Sequence, residues 1–127
     1  MPLGSTNDNE ELLLSERRTP IRVYLSAAYF DLLNHFAGLK PGRTREFLLG
    51  KLVEQFDIAS NFQPFISTTP SAAFVKIDPP NEVRRYITRL ETMGYGSARD
   101  IFRAVAEHQI DEQCREKLEL LASRSGG

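Results

Sequence analysis

Residues 19–56 read TPIRVYLSAAYFDLLNHFAGLKPGRTREFLLGKLVEQF, and residues 72–109 read AAFVKIDPPNEVRRYITRLETMGYGSARDIFRAVAEHQ. The two stretches share an order of signals more than they share residues. Each holds a short alternating run, an amphipathic run, a glycine-containing turn and a second amphipathic run. In the first, Ile21, Val23 and Leu25 alternate with Pro20, Arg22 and Tyr24. A period of two marks a strand buried on one face. Ser26 follows as an N-cap candidate. Phe30, Leu33, Phe36 and Ala37 share one helical face, and Gly38 with Pro41-Gly42 should end that helix. Thr44 is placed to cap a second helix, with Phe47, Leu48, Leu52, Val53 and Phe56 facing inward.

The second stretch repeats the pattern at an offset of 52 to 53 residues, from Val23 and Val75 at one end to Thr44 and Ser97 at the other. Val75 and Ile77 match Val23 and Leu25, and Asp78 stands in the capping place of Ser26. Pro79 suits a first helical position, where its missing N–H costs nothing. Val83, Tyr86 and Leu90 match Phe30, Leu33 and Ala37. Gly94 and Gly96 mark the turn, and Ser97 matches the cap Thr44. Ile101, Phe102, Val105 and Ala106 then match Leu48, Leu49, Leu52 and Val53. The change of offset near Pro79-Pro80 predicts a local insertion there.

Outside the repeats the chain is simpler. Residues 1–18 are expected to form a flexible tail that opens on Met1-Pro2-Leu3-Gly4-Ser5, a run resembling a cloning remnant. Residues 57–71 are a linker whose Phe62, Phe65 and Ile66 should pack down. Residues 110–127 predict a C-terminal helix, with Ile110, Cys114, Leu118 and Leu121 near one face, and a frayed end. At 127 residues, 41% hydrophobic and 26% charged, the chain has the length and composition of one globular domain. No run approaches the roughly 18 apolar residues of a membrane helix. A single cysteine, Cys114, rules out an internal disulfide and suits a reducing compartment.

The net charge of −1 argues against a generic polyanion binder, but the distribution is uneven. From Arg17 to Arg45 there are six basic residues, with Asp31 as the one acid. Acids gather near the ends, at Asp8, Glu10, Glu11 and Glu16 and from Glu107 to Glu119. A local basic patch steers binding even near zero net charge.

One unit alone would leave a strand edge unpaired and a helix face bare. Two units pairing within the chain would remove both defects. The expected fold is therefore mostly α with a short two-stranded antiparallel ribbon, an α+β pseudodimer. Its tandem domain spans residues 19–109, with units 19–56 and 72–109.

The run Ile21-Arg22-Val23-Tyr24-Leu25-Ser26, the Phe30/Leu33 helix and the Gly42-Arg43-Thr44 turn resemble the ribbon-helix-helix superfamily. Most of its members are homodimers with one unit per chain. Two units in one chain resemble the tandem form associated with Agrobacterium tumour-inducing plasmids. The resemblance covers about residues 19–109. It implies a bacterial cytoplasmic protein that binds double-stranded DNA, aids T-DNA transfer at a border enhancer, and meets proteins of a DNA-processing or transfer complex. It also implies a monomer acting as an intramolecular pseudodimer. One departure is Pro20, at a strand position where many members carry a polar base reader.

A two-stranded ribbon fits the major groove, where each base pair presents a distinct pattern of donors and acceptors. Arg22, Tyr24, Phe74 and Lys76 are the outward residues expected to face bases. Arg22 and Lys76 can donate to guanine O6 and N7, Tyr24 offers a hydroxyl, and Phe74 can touch a thymine methyl. Thr44 and Ser97 begin the second helices, whose free N–H groups and dipoles suit phosphate oxygens. Arg18, Lys40, Arg43, Arg45 and Arg99 complete the expected phosphate set. The unlike outward residues of the two strands predict a non-palindromic target.

Each residue also has a plainer reading. Arg22 and Lys76 can be solvated charges, Tyr24 and Phe74 sheet cover, and Thr44 and Ser97 simple caps. Arg84, Arg85 and Arg89 beside Glu82 and Glu91 read as a solvated helix face, and Cys114 as a small core residue. His35 and His108 lack ligand-spaced partners. No metal-spaced cluster, Cys–His pair, nucleophile elbow or phosphate loop is present, so neither enzyme, metal nor cofactor is expected. The competing functions are a protein-interaction adaptor and a transcriptional repressor of plasmid genes.

Overall fold

Alternation in the two short runs becomes a two-stranded antiparallel sheet. The computed structural model describes residues 19–38, Gly42 and residues 44–115, with the side chains of Cys114 and Arg115 excepted. The elements are β1 (Ile21–Leu25), α1 (Ala27–Gly38), α2 (Arg45–Glu54), β2 (Ala73–Ile77), α3 (Asn81–Thr92) and α4 (Ala98–Ile110), followed by one π-helical turn, Asp111–Arg115. The order strand, helix, helix therefore occurs twice, in a mostly helical α+β architecture. Among the described residues, no helix is long and apolar enough to cross a membrane.

The register pairs Ile21 with Ile77, Arg22 with Lys76, Val23 with Val75, Tyr24 with Phe74 and Leu25 with Ala73. The Ala72 N–H adds a further bond to the Leu25 carbonyl at 2.9 Å. Val23, Leu25, Val75 and Ile77 form the buried face of this ribbon. Beneath it lie Leu33 of α1, Leu49 and Val53 of α2, Ile87 of α3, and Ile101, Val105 and Ile110 of α4. Complete burial of such a side chain contributes about 1.5–3 kcal/mol. The second helix of each half also packs on the other half's strand: α4 against β1, and α2 against β2. Gln109 Nε2 donates to the Leu52 carbonyl at 2.6 Å and ties the two second helices together.

The helix boundaries follow local chemistry. Thr44 Oγ1 accepts from the Phe47 N–H at 3.0 Å, and Ser97 Oγ accepts from the Asp100 N–H at 3.2 Å. Both expected caps are therefore made. At the end of α3, the Gly94 N–H bonds the Glu91 carbonyl and the Tyr95 N–H bonds the Leu90 carbonyl. This is a Schellman closure, and it needs the positive φ of 90° that Gly94 supplies.

The start of α3 and two side chains depart from the sequence pattern. Asp78 and Pro79 do not start α3. Pro80 occupies the cap position, with no side-chain cap bond, and α3 begins at Asn81. The three residues Asp78, Pro79 and Pro80 thus span a junction that Ser26 alone spans in the first half, which locates the expected insertion. Asp78 instead pairs with Arg84 at 2.8 Å. Arg84 is not a solvated bystander, because it also donates to the carbonyls of Pro79 and Thr19. Phe47 is 42% exposed, because the inward face of α2 is taken by Leu48, Leu49, Leu52 and Val53. Its ring instead lies 5.7 Å from Lys51 Nζ.

The linker packs down only in part. Phe62 and Ile66 rest on the core, but Phe65 is 80% exposed. Ile66 fills the space beside Gly96, where an added Cβ would meet its Cδ1 at 3.1 Å. Helix α4 ends at the fully buried Ile110 and the π-helical turn Asp111–Arg115 follows it directly; the rest of the expected C-terminal helix lies outside the described residues. The Cys114 side chain, Leu118 and Leu121 lie outside the described residues.

Candidate nucleic-acid interface

Strand alternation alone sends Arg22, Tyr24, Phe74 and Lys76 to the face opposite the helices. Arg22, Phe74 and Lys76 are exposed there and Tyr24 is half-buried. The antiparallel register then sorts them by chemistry. Arg22 and Lys76 share one end of the ribbon, and Tyr24 and Phe74 share the other. One end is thus cationic and the other aromatic.

The aromatic end is a tilted ring pair flanked by two guanidinium groups. The Tyr24 and Phe74 ring centroids lie 5.7 Å apart with the planes tilted by 54°. The Arg22 guanidinium sits 4.9 Å from the Phe74 centroid. The Arg99 guanidinium sits 3.7 Å from the Tyr24 centroid. A guanidinium over an aromatic face is attracted by the ring quadrupole. Arg22, Phe74, Tyr24 and Arg99 therefore form a continuous series, with a cation at each end.

The two helix N-termini flank the ribbon differently. At α2, Arg45 donates to Asn34 Oδ1 at 2.7 Å, lies 5.1 Å from the Phe30 centroid and approaches Glu46 at 3.7 Å. At α4, Glu91 Oε2 already accepts the Ala98 N–H at 2.9 Å. A carboxylate thus occupies one of the N–H groups that a phosphate would use. Tyr24, Ser71, Ser97, Arg99, Asp100 and Arg103 line a cleft of about 250 Å³ beside this terminus. Of the expected phosphate set, Thr44, Arg45, Ser97 and Arg99 are described, whereas Arg18, Lys40 and Arg43 lie outside the described residues.

Behind the ribbon lies a buried ion pair that the sequence reading missed. Arg103 Nε donates to Glu107 Oε2 at 3.0 Å, and the same oxygen accepts the Ser26 N–H at 3.2 Å. Their i,i+4 spacing was visible in the sequence, but their burial was not. Arg103 Nη2 is buried with no hydrogen-bond partner. His108 sits against the Phe62 and Phe56 rings, with centroids 5.0 and 6.3 Å away. The Arg99–Tyr24 stack had no sequence signal, because it joins one half's helix to the other half's strand.

No protein-family model, curated protein or solved structure matches this chain.

Proposed function

We propose that the two strand-helix-helix units are a tandem ribbon-helix-helix pseudodimer and that the chain is a sequence-preferring binder of double-stranded DNA. The ribbon enters the major groove with Arg22, Tyr24, Phe74 and Lys76 toward the base edges. Thr44, Arg45, Ser97 and Arg99 stand at the phosphates, joined by Arg18, Lys40 and Arg43. The observation that carries this reading is the outward face of the ribbon. Its four alternating positions hold two cations and two aromatic rings, while the inner face is buried on the helices. A two-stranded ribbon has the width to enter the major groove. The resemblance of the tandem form extends the proposal to a plasmid DNA-processing factor that aids T-DNA transfer at a border enhancer in the bacterial cytoplasm, with proteins of a transfer complex as partners.

A second reading, a protein-interaction adaptor, is favoured by one feature. Phe65 stands 80% exposed beside a cleft that it lines with Tyr29, Phe62 and His108. Salt dependence separates the two. With roughly five phosphates neutralised, log affinity for duplex DNA should fall linearly with log salt at a slope of about −4 to −5. A slope near zero would exclude the DNA reading and leave the adaptor.

A further inference from the structure

Arg99 was expected to grip phosphate, yet its guanidinium lies 3.7 Å from the centroid of the Tyr24 ring. A planar guanidinium carries its five N–H donors in its own plane, so contact with a ring through its face does not consume them. Contact with the guanidinium covers a face of a ring that is half-buried on its strand. It also spans the two halves, since Arg99 belongs to α4 and Tyr24 to β1. Tyr24 in turn meets Phe74 at 5.7 Å, and Phe74 carries Arg22 at 4.9 Å.

The other half has no equivalent. Thr44 and Ser97 are both caps, so counting from them places Glu46 where Arg99 stands. Across the centre of the ribbon, at Val23 and Val75, Lys76 takes the place of Tyr24. A glutamate and a lysine therefore replace the arginine and tyrosine, and no ring stack can form between them. The cationic end lacks this brace.

We infer that Arg99 is a positioning residue for sequence reading: it holds Tyr24, and through it Phe74, so that the aromatic end of the ribbon reads its base pairs with fixed side chains. This rests on the proposed DNA binding and deepens it. The two ends of one site are then read unequally. The braced aromatic end discriminates by ring placement against apolar base edges such as a thymine methyl. The cationic end discriminates by donation from Arg22 and Lys76. A residue that only gripped phosphate would change affinity without changing base preference.

The test compares wild type, Arg99→Ala, Arg99→Lys and Tyr24→Leu, each as the full chain. Each is measured on the site selected by wild type and on duplexes altered at one end at a time. Arg99→Ala should lose about tenfold in discrimination at the aromatic end and keep discrimination at the cationic end. Tyr24→Leu should do the same, and a protein combining Arg99→Ala with Tyr24→Leu should be no worse than either single variant. Arg99→Lys keeps the charge but loses the planar stack, so it should retain the salt slope while losing the preference. In the free protein, ring-current shifts of the Arg99 δ-protons should vanish in Tyr24→Leu, which reports the brace without DNA. Unshifted δ-protons in wild type would overturn the inference. So would uniform weakening by Arg99→Ala with unchanged preference at both ends, since that is the signature of a phosphate contact alone. If wild type binds no duplex, the proposed function fails and takes this inference with it; if it binds and only the preference is unmoved, this inference alone fails.

Discussion

Arg22 faces Lys76 directly across the ribbon. Like charges in that relation repel, and the Arg22 guanidinium lies diagonally over the Phe74 ring at 4.9 Å. In the proposed complex, a guanine edge with its O6 and N7 acceptors is the complement of this cationic end.

Arg22→Ala should therefore cost about 1–3 kcal/mol on the preferred duplex and much less on unselected DNA. Arg45→Ala should weaken both by similar factors, because a phosphate contact is independent of the base. Selection from a random duplex library should return a non-palindromic consensus, since the positions that correspond between the two strands, Arg22 with Phe74 and Tyr24 with Lys76, hold unlike residues. A strict inverted repeat, relaxed equally in both half-sites by Arg22→Ala and Lys76→Ala, would refute the assignment of the outward face.

The chain should sediment as a monomer at micromolar concentration. Within one molecule, β1 and β2 already pair and the second helices already cross to the opposite strands. Each strand thus has a pairing partner, and each second helix an opposing strand, without a second copy. A dimer with no detectable monomer would mean that the halves pair between chains.

Removing Glu107 should be far more damaging than removing Glu54, its counterpart in the first half. Glu107 and Arg103 form a pair with side chains 11% and 10% exposed. Glu107→Ala strands the Arg103 charge and the Ser26 N–H together, for a loss of about 3–5 kcal/mol. Glu54 and Lys51 are about half exposed at 3.7 Å, so Glu54→Ala should cost well under about 1 kcal/mol. Equal midpoint shifts in urea titrations of the two variants would contradict the role of burial.

Tyr86 should impose an alkaline limit. Desolvation by burial raises its pKa above the ordinary 10.0; the Arg89 charge opposes this and Tyr95 adds to it. The folded state therefore holds the phenolic proton more tightly than the unfolded chain. This contribution is complete below the unfolded value and is lost as pH rises past it. Unfolding followed between pH 9 and about 11 should show Tyr86→Phe losing less stability than wild type across that window. Parallel slopes for the two proteins would remove Tyr86 as the cause.

Features that depend on near neighbours along the chain are legible in its residues. Period two in Ile21–Leu25 and Ala73–Ile77 set two strands and their faces, because side chains must alternate along an extended backbone. Thr44 and Ser97 were legible as caps because a hydroxyl reaches an N–H three residues on. Gly94 was legible as a turn because its positive φ is costly for other residues. The local signals point to Asp78 as the cap and Pro79 as the first helical residue, but two successive prolines delay the helix to Asn81. Other features arise from contacts between residues distant along the chain. The register placed Arg22 beside Lys76 and Tyr24 beside Phe74, which no local pattern specifies. Packing of α4 against β1 brought Arg99 onto Tyr24 and Glu107 to the Ser26 N–H. The same packing buried Arg103 and Glu107, which an i,i+4 spacing would equally have left in water. Burial and cross-half contact are properties of what surrounds a residue, and residues far apart along the chain supply those surroundings only once the halves have closed on each other.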